Sequence, residues 1–383
     1  MLISAFFIFV LIIFFGGHLG YPLLLRGISL KARKTTLNKN LNKSYSLSEL
    51  PYVSILIPVY NEQSVIKRRI KNIFESDYPK NKMEVIVIDS GSIDKTRLII
   101  ESEFRNSVIL VTEQERRGKA HAINLGLQKC KGEIIIITDG TTIYDKETIM
   151  QLVKPFSDIT IGAVSAFYEV PNSGESRVSA SERKFWAFKD NLRLLESIVY
   201  STSWLSGEAC AFRSKVIEIV HEDTLADDSN IALQFISKGH KAVVNQNARF
   251  IERSPTEFTD YIKIKSRRAL GGLLETLRFK SLLFNRKYSY FGTIIFPYRF
   301  FVCILSPILA CLLIGLAIPA IFELISTIGS FSAVLLGIGL ILIFILFKEL
   351  FSTFFYTQLI TIIALFWSVS GKKEVRWTRS KTR

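Results

Sequence analysis

The chain has 383 residues, 49% of them apolar and 22% charged, with a formal net charge of +15. An evenly mixed soluble chain is excluded, because the apolar residues gather in long uncharged runs at both ends while the middle has ordinary composition. Nucleic-acid binding is not expected either: much of the positive excess lies beside those runs, where it meets anionic headgroups, and no stretch interleaves basic and aromatic residues in a recognised module.

Residues 1–25 carry no charged side chain and reach the roughly 20 apolar residues that a membrane helix needs. A cleaved signal peptide fits less well, since no Lys or Arg precedes the apolar core and the bulky Tyr21, Pro22 and Leu23 end it. The basic residues come afterwards: Arg26, Lys31, Arg33, Lys34, Lys39 and Lys43. By the positive-inside rule they stay in the cytosol and the amino terminus lies outside. Residues 26–50 read as a basic linker. Strands are predicted at 53–58, 84–89, 108–111 and 133–138, with helices at 65–76, 95–104 and 119–129 between and after them. Ile- and Val-rich strands alternating with helices predict an α/β fold with a parallel-type sheet covered on both faces. Beyond 151 the alternation is less regular, with a strand at 162–166 and helices at 179–200 and 229–238. Three further uncharged runs close the chain at 300–322, 324–347 and 350–371. Cys130, Cys210, Cys303 and Cys311 are not spaced as a zinc site, so free thiols in a reducing compartment are expected.

In open α/β sheets ligands bind beyond the carboxyl ends of the strands. Three strands end in polar segments there: Tyr60-Asn61-Glu62, Asp89-Ser90-Gly91-Ser92 and Asp139-Gly140-Thr141-Thr142. Further along come Trp204-Leu205-Ser206-Gly207-Glu208, Ala226-Asp227-Asp228-Ser229 and Lys265-Ser266-Arg267-Arg268-Ala269. In this order the segments resemble those of the family-two inverting membrane glycosyltransferases with the GT-A fold. That group includes the hyaluronan, chitin, cellulose and poly-N-acetylglucosamine synthases and their non-processive relatives. The likeness runs from about residue 51 to 272.

The resemblance implies roles. Tyr60 and Glu62 would lie beside the donor's base and ribose, with Asn61 also readable as a helix cap. Asp89 would bond the base, and Asp94 is either a cap or a ligand. Lys119, following Arg117-Gly118 at a helix start, would touch the diphosphate, where free backbone N–H groups favour anions; Arg116 reads as a surface charge. Asp139 would hold Mg²⁺ or Mn²⁺, but Thr141 stands where the family's Asp-x-Asp motif has its second carboxylate, and Asp145 is a possible substitute. Trp204, Ser206, Gly207 and Asp227 would line the acceptor side, Trp204 either stacking on a sugar or packing in the core. Asp228 would be the general base, although two acids opening a helix also suit its dipole. Arg267 and Arg268 would face the diphosphate from an amphipathic helix at 260–277 lying on the membrane surface. Ala269 replaces the tryptophan of processive synthases, so short addition is expected rather than a polymer.

The expected layout is a membrane helix at 1–25, the linker at 26–50, and a cytosolic GT-A domain at 51–257. An interfacial segment follows at 258–299, then membrane helices at 300–371 and a basic tail at 372–383. The expected protein is a multi-pass membrane enzyme that transfers sugar with inversion from a nucleotide-sugar donor to a glycan or lipid-linked acceptor. A polyprenyl-phosphate sugar synthase and a non-catalytic nucleotide-sugar- or glycan-binding membrane partner are the alternatives. If all three late runs crossed, the basic tail would lie outside; the expectation is therefore that two cross and 350–371 lies along the interface.

Overall fold

In a computed structural model, residues 2–35, 49–217, 219–329 and 348–371 are described. Lys39, Lys43, most of the 324–347 run and the tail at 372–383 lie outside them.

Eight strands form one sheet: β1 (Val53–Val59), β2 (Met83–Asp89), β3 (Ile109–Thr112), β4 (Ile134–Ile137), β5 (Ile143–Tyr144), β6 (Ile161–Glu169), β7 (Cys210–Arg213) and β8 (Lys241–Ile251). Their order is β3-β2-β1-β4-β7-β6-β8-β5. Alternate residues of the central strands feed two cores, as the two-residue period of a strand requires. Ile55, Ile57, Val85, Val87, Ile134 and Ile136 pack on one face, and Leu56, Ile86, Ile88, Ile135 and Ile137 on the other. Each such burial contributes about 1.5–3 kcal/mol, enough to make continuous apolar strands stable only inside.

The sheet is parallel across β3, β2, β1 and β4, as predicted. It then departs from that expectation. β7 runs antiparallel to both β4 and β6, β6 and β8 pair in parallel, and β5 is antiparallel to β8, so the sheet is mixed. β7 and β8 were not legible as strands. β7 has four residues, and β8 carries Asn245, Gln246, Asn247 and Arg249 where its pairing with β6 shifts register.

The helices are α1 (Leu2–Thr35), α2 (Ile66–Phe74), α3 (Thr96–Glu103), α4 (Lys119–Leu127), α5 (Thr148–Val153), α6 (Arg177–Val199), α7 (Asp227–Ser237), α8 (Phe258–Arg278), α9 (Phe291–Thr327) and α10 (Lys348–Val369). α1 continues past residue 25, so the linker assigned to 26–50 is helical at its start. Both α1 and α9 are long and apolar enough to cross a membrane. Their outer faces expose Phe9, Ile12, Leu19, Ile314, Ile318 and Phe322, an apolar exterior that water does not favour. The two helices run antiparallel. Ser4 donates to Glu323 at one end, and at the other Tyr21 stacks on Tyr298 with ring centroids 3.5 Å apart and donates to Glu196 of α6.

Two elements expected at the membrane interface pack against the rest of the protein. α8 turns Leu270 and Leu273 into the protein, and Gly271 lets it approach Leu225 and Ala226 so closely that a Cβ there would lie 2.9 Å from the Ala226 side chain. It is therefore held against the domain, whatever lies beyond its exposed Leu277. α10, expected along an interface, packs Phe354 against Phe14 and Phe15 of α1, while its Ala364 joins Leu225 and Leu270. All four cysteines are free thiols.

Candidate active site

β1 ends at Val59, and the chain turns at Asn61 with φ 55, a left-handed conformation that Asn tolerates better than most residues. Asn61 is not a helix cap. Its N–H donates to Ser92 Oγ and its Oδ1 accepts from the Ile93 N–H, so it ties the β1 loop to the β2 loop. Asp94 accepts from the Thr96 and Gln63 N–H groups, a structural role in the same loops. Arg116, read as a surface charge, places its guanidinium 3.9 Å from the Tyr60 ring centroid.

A cavity of ≈ 1160 Å³ opens beyond these strand ends. Of the residues singled out in the sequence, Tyr60, Glu62, Lys119, Asp139, Trp204, Gly207, Asp227, Asp228, Arg267 and Arg268 line it. Asp89 and Ser206 are not brought to its wall. Asp89 is buried and accepts from the Ser92 N–H; Ser206 is buried, accepts from Arg193 and donates its N–H to Ser165.

At the centre, Lys119 Nζ lies 2.8 Å from Asp139 Oδ1, 3.3 Å from Asp227 Oδ2 and 3.5 Å from the Gly207 carbonyl. The lysine predicted to touch the diphosphate thus bridges the two acidic segments. Burial opposes its charge, but Asp139 and Asp227 outweigh that and hold its pKa well above the ordinary lysine value. Gly207 makes room here, since a Cβ would come within 3.3 Å of Lys119 Nζ and 3.4 Å of Asp227 Oδ2. α7 begins at Asp227, and its cap residue is Ala226, with no side-chain cap bond. The acids therefore occupy the first turn without capping it. Asp228 Oδ1 accepts from the Ser229 N–H at 2.6 Å. Burial, then the charges of Asp227 and Glu208, push the Asp228 carboxyl up to about 6.

Several residues missed in the sequence complete the site. Glu208 pairs with Arg268 at 2.7 Å, and its carbonyl accepts from Thr138 and Tyr144. Arg193, buried in α6, bonds Asp190, Ser206 Oγ, Ser165 Oγ and the Trp204 carbonyl, fixing the 204–206 segment from behind. Arg299 lies 3.8 Å from the Trp204 ring centroid, so the tryptophan both packs and faces the cavity. Glu252 accepts from the Thr141 hydroxyl at 2.5 Å, which brings a carboxylate to the position the motif lacks. Only Glu208, inside a quoted motif, carried a local signal; the others arrive from distant elements.

Among the described residues no group of three or more His, Cys, Asp or Glu is arranged to hold a metal ion. Mg²⁺ typically takes one or two carboxylates and completes its shell with substrate phosphates and water. Asp139, which lines the cavity, fits a cation that arrives with a diphosphate; Glu252, bonded to Thr141, does not line it.

Acids and basic groups gathered beyond the strand ends of an α/β sheet stand where such sheets bind their ligands. Residues 54–220, a little under half of the chain, match the model of Glycosyl transferase family 2, and the domain that contains them has the GT-A fold. A mannosyltransferase from Pyrobaculum calidifontis, solved in complex with GDP-Man and Mn²⁺, superposes with TM-score 0.76 at 26% identity, covering 97% of this chain and 100% of that one. A probable glycosyltransferase of Bacillus subtilis (strain 168) is 25% identical over 66% of this chain and 63% of its own length. The poly-beta-1,6-N-acetyl-D-glucosamine synthase of Staphylococcus aureus (strain COL) is 25% identical over 55% of this chain and 52% of its own length. The match thus spans between half and two thirds of these curated relatives.

Proposed function

We propose that the chain is a membrane-embedded inverting transferase that adds one or a few sugars from a nucleotide-sugar donor to an acceptor hydroxyl. The observation that carries this reading is the meeting of Lys119, Asp139, Asp227 and Asp228 in one cavity at the strand ends. The acceptor oxygen forms its bond to the anomeric carbon while its proton passes to Asp228. The bond from that carbon to the donor phosphate breaks, and the electron pair leaves on the nucleoside diphosphate, so configuration inverts. Lys119 and Arg268 supply fixed positive charge toward the leaving group. A divalent cation held at Asp139 would add neutralisation of the diphosphate. A donor panel assayed for nucleotide release, with and without Mn²⁺, tests the reading; no release with any donor overturns it and leaves a non-catalytic binding partner.

Product length follows from Ala269, which lines the cavity but offers no ring for a sugar to stack on. Short products are expected, and recovery of long homopolymer from purified protein and one donor refutes this.

A base must be ionised to take a proton. With the Asp228 carboxyl near 6, kcat/KM is expected to rise with pH through that region and level off above it. A profile flat from about pH 5 to 8 counts against Asp228 as the base.

The membrane topology places the amino terminus outside, α1 and α9 across the bilayer, and the domain with the tail at 372–383 in the cytosol. The exposed apolar faces of α1 and α9 support it, as does the packing of α10's Ala364 against the domain. A single cysteine placed beyond Trp377, in a chain otherwise free of cysteine, is expected to resist an impermeant thiol reagent in intact cells. Labelling from outside sinks the topology.

A further inference from the structure

Thr141 and Glu252 are brought together by a short piece of sheet. The two-residue β5 pairs with the end of β8, Ile143 opposite Ile251 and Tyr144 opposite Phe250, which carries Glu252 to the turn at 139–142. Its backbone is fixed on both sides: the Glu252 N–H donates to the Glu169 carbonyl, and its own carbonyl accepts from the Tyr168 hydroxyl at 2.9 Å. Glu252 is 4% exposed, and its charge acts on the Arg268 and Arg69 guanidiniums. The two residues lie 111 positions apart, so no spacing in the sequence links them.

A threonine hydroxyl has one proton to donate and two lone pairs that accept, whereas an ionised carboxylate only accepts. The Thr141 proton is committed to Glu252, 2.5 Å away. What Thr141 Oγ1 offers to anything else is therefore lone-pair density alone, and the neighbouring carboxylate polarises it further. Thr141 and Asp139 line the same cavity, with Gly140 between them on its wall. Glu252 does not line it, so it acts from behind the hydroxyl. An oxygen that can only accept, two residues from a carboxylate, suits a hard cation, which takes oxygen ligands and needs only a few from the protein. In P-loops a serine or threonine hydroxyl ligates Mg²⁺ in this way.

We propose that Thr141 Oγ1 is the second protein ligand of the divalent cation held at Asp139, and that Glu252 is the positioning residue that orients and polarises it. The proposal rests on the transferase reading above and adds the ligand set of its cation. It also accounts for the departure from the Asp-x-Asp motif. With Glu252 fixed at the end of β8, a carboxylate at position 141 would press against a like charge. The negative charge stays in the site, one hydrogen bond further from the metal, and donor phosphates and water complete the shell. A purely structural bond, tying the turn to β8 and nothing more, predicts changes in stability without changes in metal choice.

The test uses the full chain in detergent, with GDP, UDP, CDP, ADP and dTDP as probes and Mn²⁺ or Cd²⁺ as the cation. Calorimetry follows nucleotide and metal binding, and electron paramagnetic resonance follows bound Mn²⁺. In the unaltered protein Mn²⁺ is expected to tighten nucleotide binding. Thr141→Cys replaces a hard oxygen with a soft sulfur, so the preference for Cd²⁺ over Mn²⁺ should rise by about tenfold or more. The four native thiols are present in both proteins and cancel in this comparison. Thr141→Ser, which keeps the hydroxyl, should retain the Mn²⁺ affinity. Glu252→Gln should weaken Mn²⁺ binding by about 10–100-fold, the usual loss for a residue behind a ligand, while metal-free nucleotide binding stays the same. Thr141→Asp should bind Mn²⁺ no more tightly than the unaltered protein, and adding Glu252→Gln to it should raise that affinity. Unchanged metal-free nucleotide binding shows that each variant is folded. An unshifted Cd²⁺ preference in Thr141→Cys, or an unchanged Mn²⁺ affinity in Glu252→Gln, overturns the proposal. So does nucleotide binding by the unaltered protein that is indifferent to Mn²⁺. Failure of the unaltered protein to bind any of the nucleotides would instead overturn the transferase reading itself.

Discussion

Asp228→Asn is expected to lower sugar transfer by about 10²–10⁴-fold, the usual contribution of a general base, while nucleotide affinity changes little. Asparagine keeps the size of the side chain and can still accept from the Ser229 N–H, but it cannot take the acceptor's proton. The alternative role, stabilising the start of α7, predicts otherwise. Asn serves a helix start about as well as Asp in hydrogen bonding, and the macrodipole term lost is only about 0.3–1 kcal/mol. Asp139→Asn should differ by weakening nucleotide and Mn²⁺ binding as well as rate, since Asp139 holds Lys119 and, in the proposed reaction, would hold the cation at the diphosphate. Calorimetric nucleotide binding beside transfer rates for both variants makes the comparison. Near-normal transfer by Asp228→Asn would move the base assignment to Asp227.

Arg193→Ala is expected to cost about 3–5 kcal/mol of stability, the range for breaking a buried ion pair from one side. Asp190, at 2% exposure, would lose its ion-pair partner and keep the Tyr168 N–H, and the Trp204 carbonyl, Ser206 Oγ and Ser165 Oγ would each lose a donor. Because Arg193 fixes the segment that carries Trp204 and Gly207 to the cavity wall, transfer should fall as well. The exposed pair Arg253–Glu175 is the control. Arg253→Ala should change stability by no more than about 1 kcal/mol, since water and salt screen such pairs. Chemical unfolding in detergent, followed by fluorescence, measures both. A loss below about 1 kcal/mol for Arg193→Ala would show that the network is not what holds the segment.

Much of the first half was legible because its signals are local. Runs such as Ile134–Ile137 are buried on both faces, which gives a parallel strand an unmistakable apolar pattern, and the polar residues that follow each strand necessarily sit at one sheet edge. The order of the segments around Asp139, Gly207, Asp227 and Asp228 likewise needed no coordinates to suggest nucleotide-sugar chemistry. What the sequence determined by itself is therefore the class of domain and the acids that gather in it. The tertiary structure alone decided which distant groups meet them. Lys119 reaches Asp139 and Asp227 because α4 and α7 start at the same edge; Glu252 comes from the end of β8 to Thr141; Arg193, Lys189 and Arg299 converge on Trp204 from α6 and α9. None of these has a spacing to read, because a hydrogen bond or ion pair across a fold depends on separation in space and is indifferent to separation along the chain. The mixed half of the sheet was hidden for a related reason: short β7 and polar β8 are strands by virtue of the partners they pair with, and those partners lie far away in sequence.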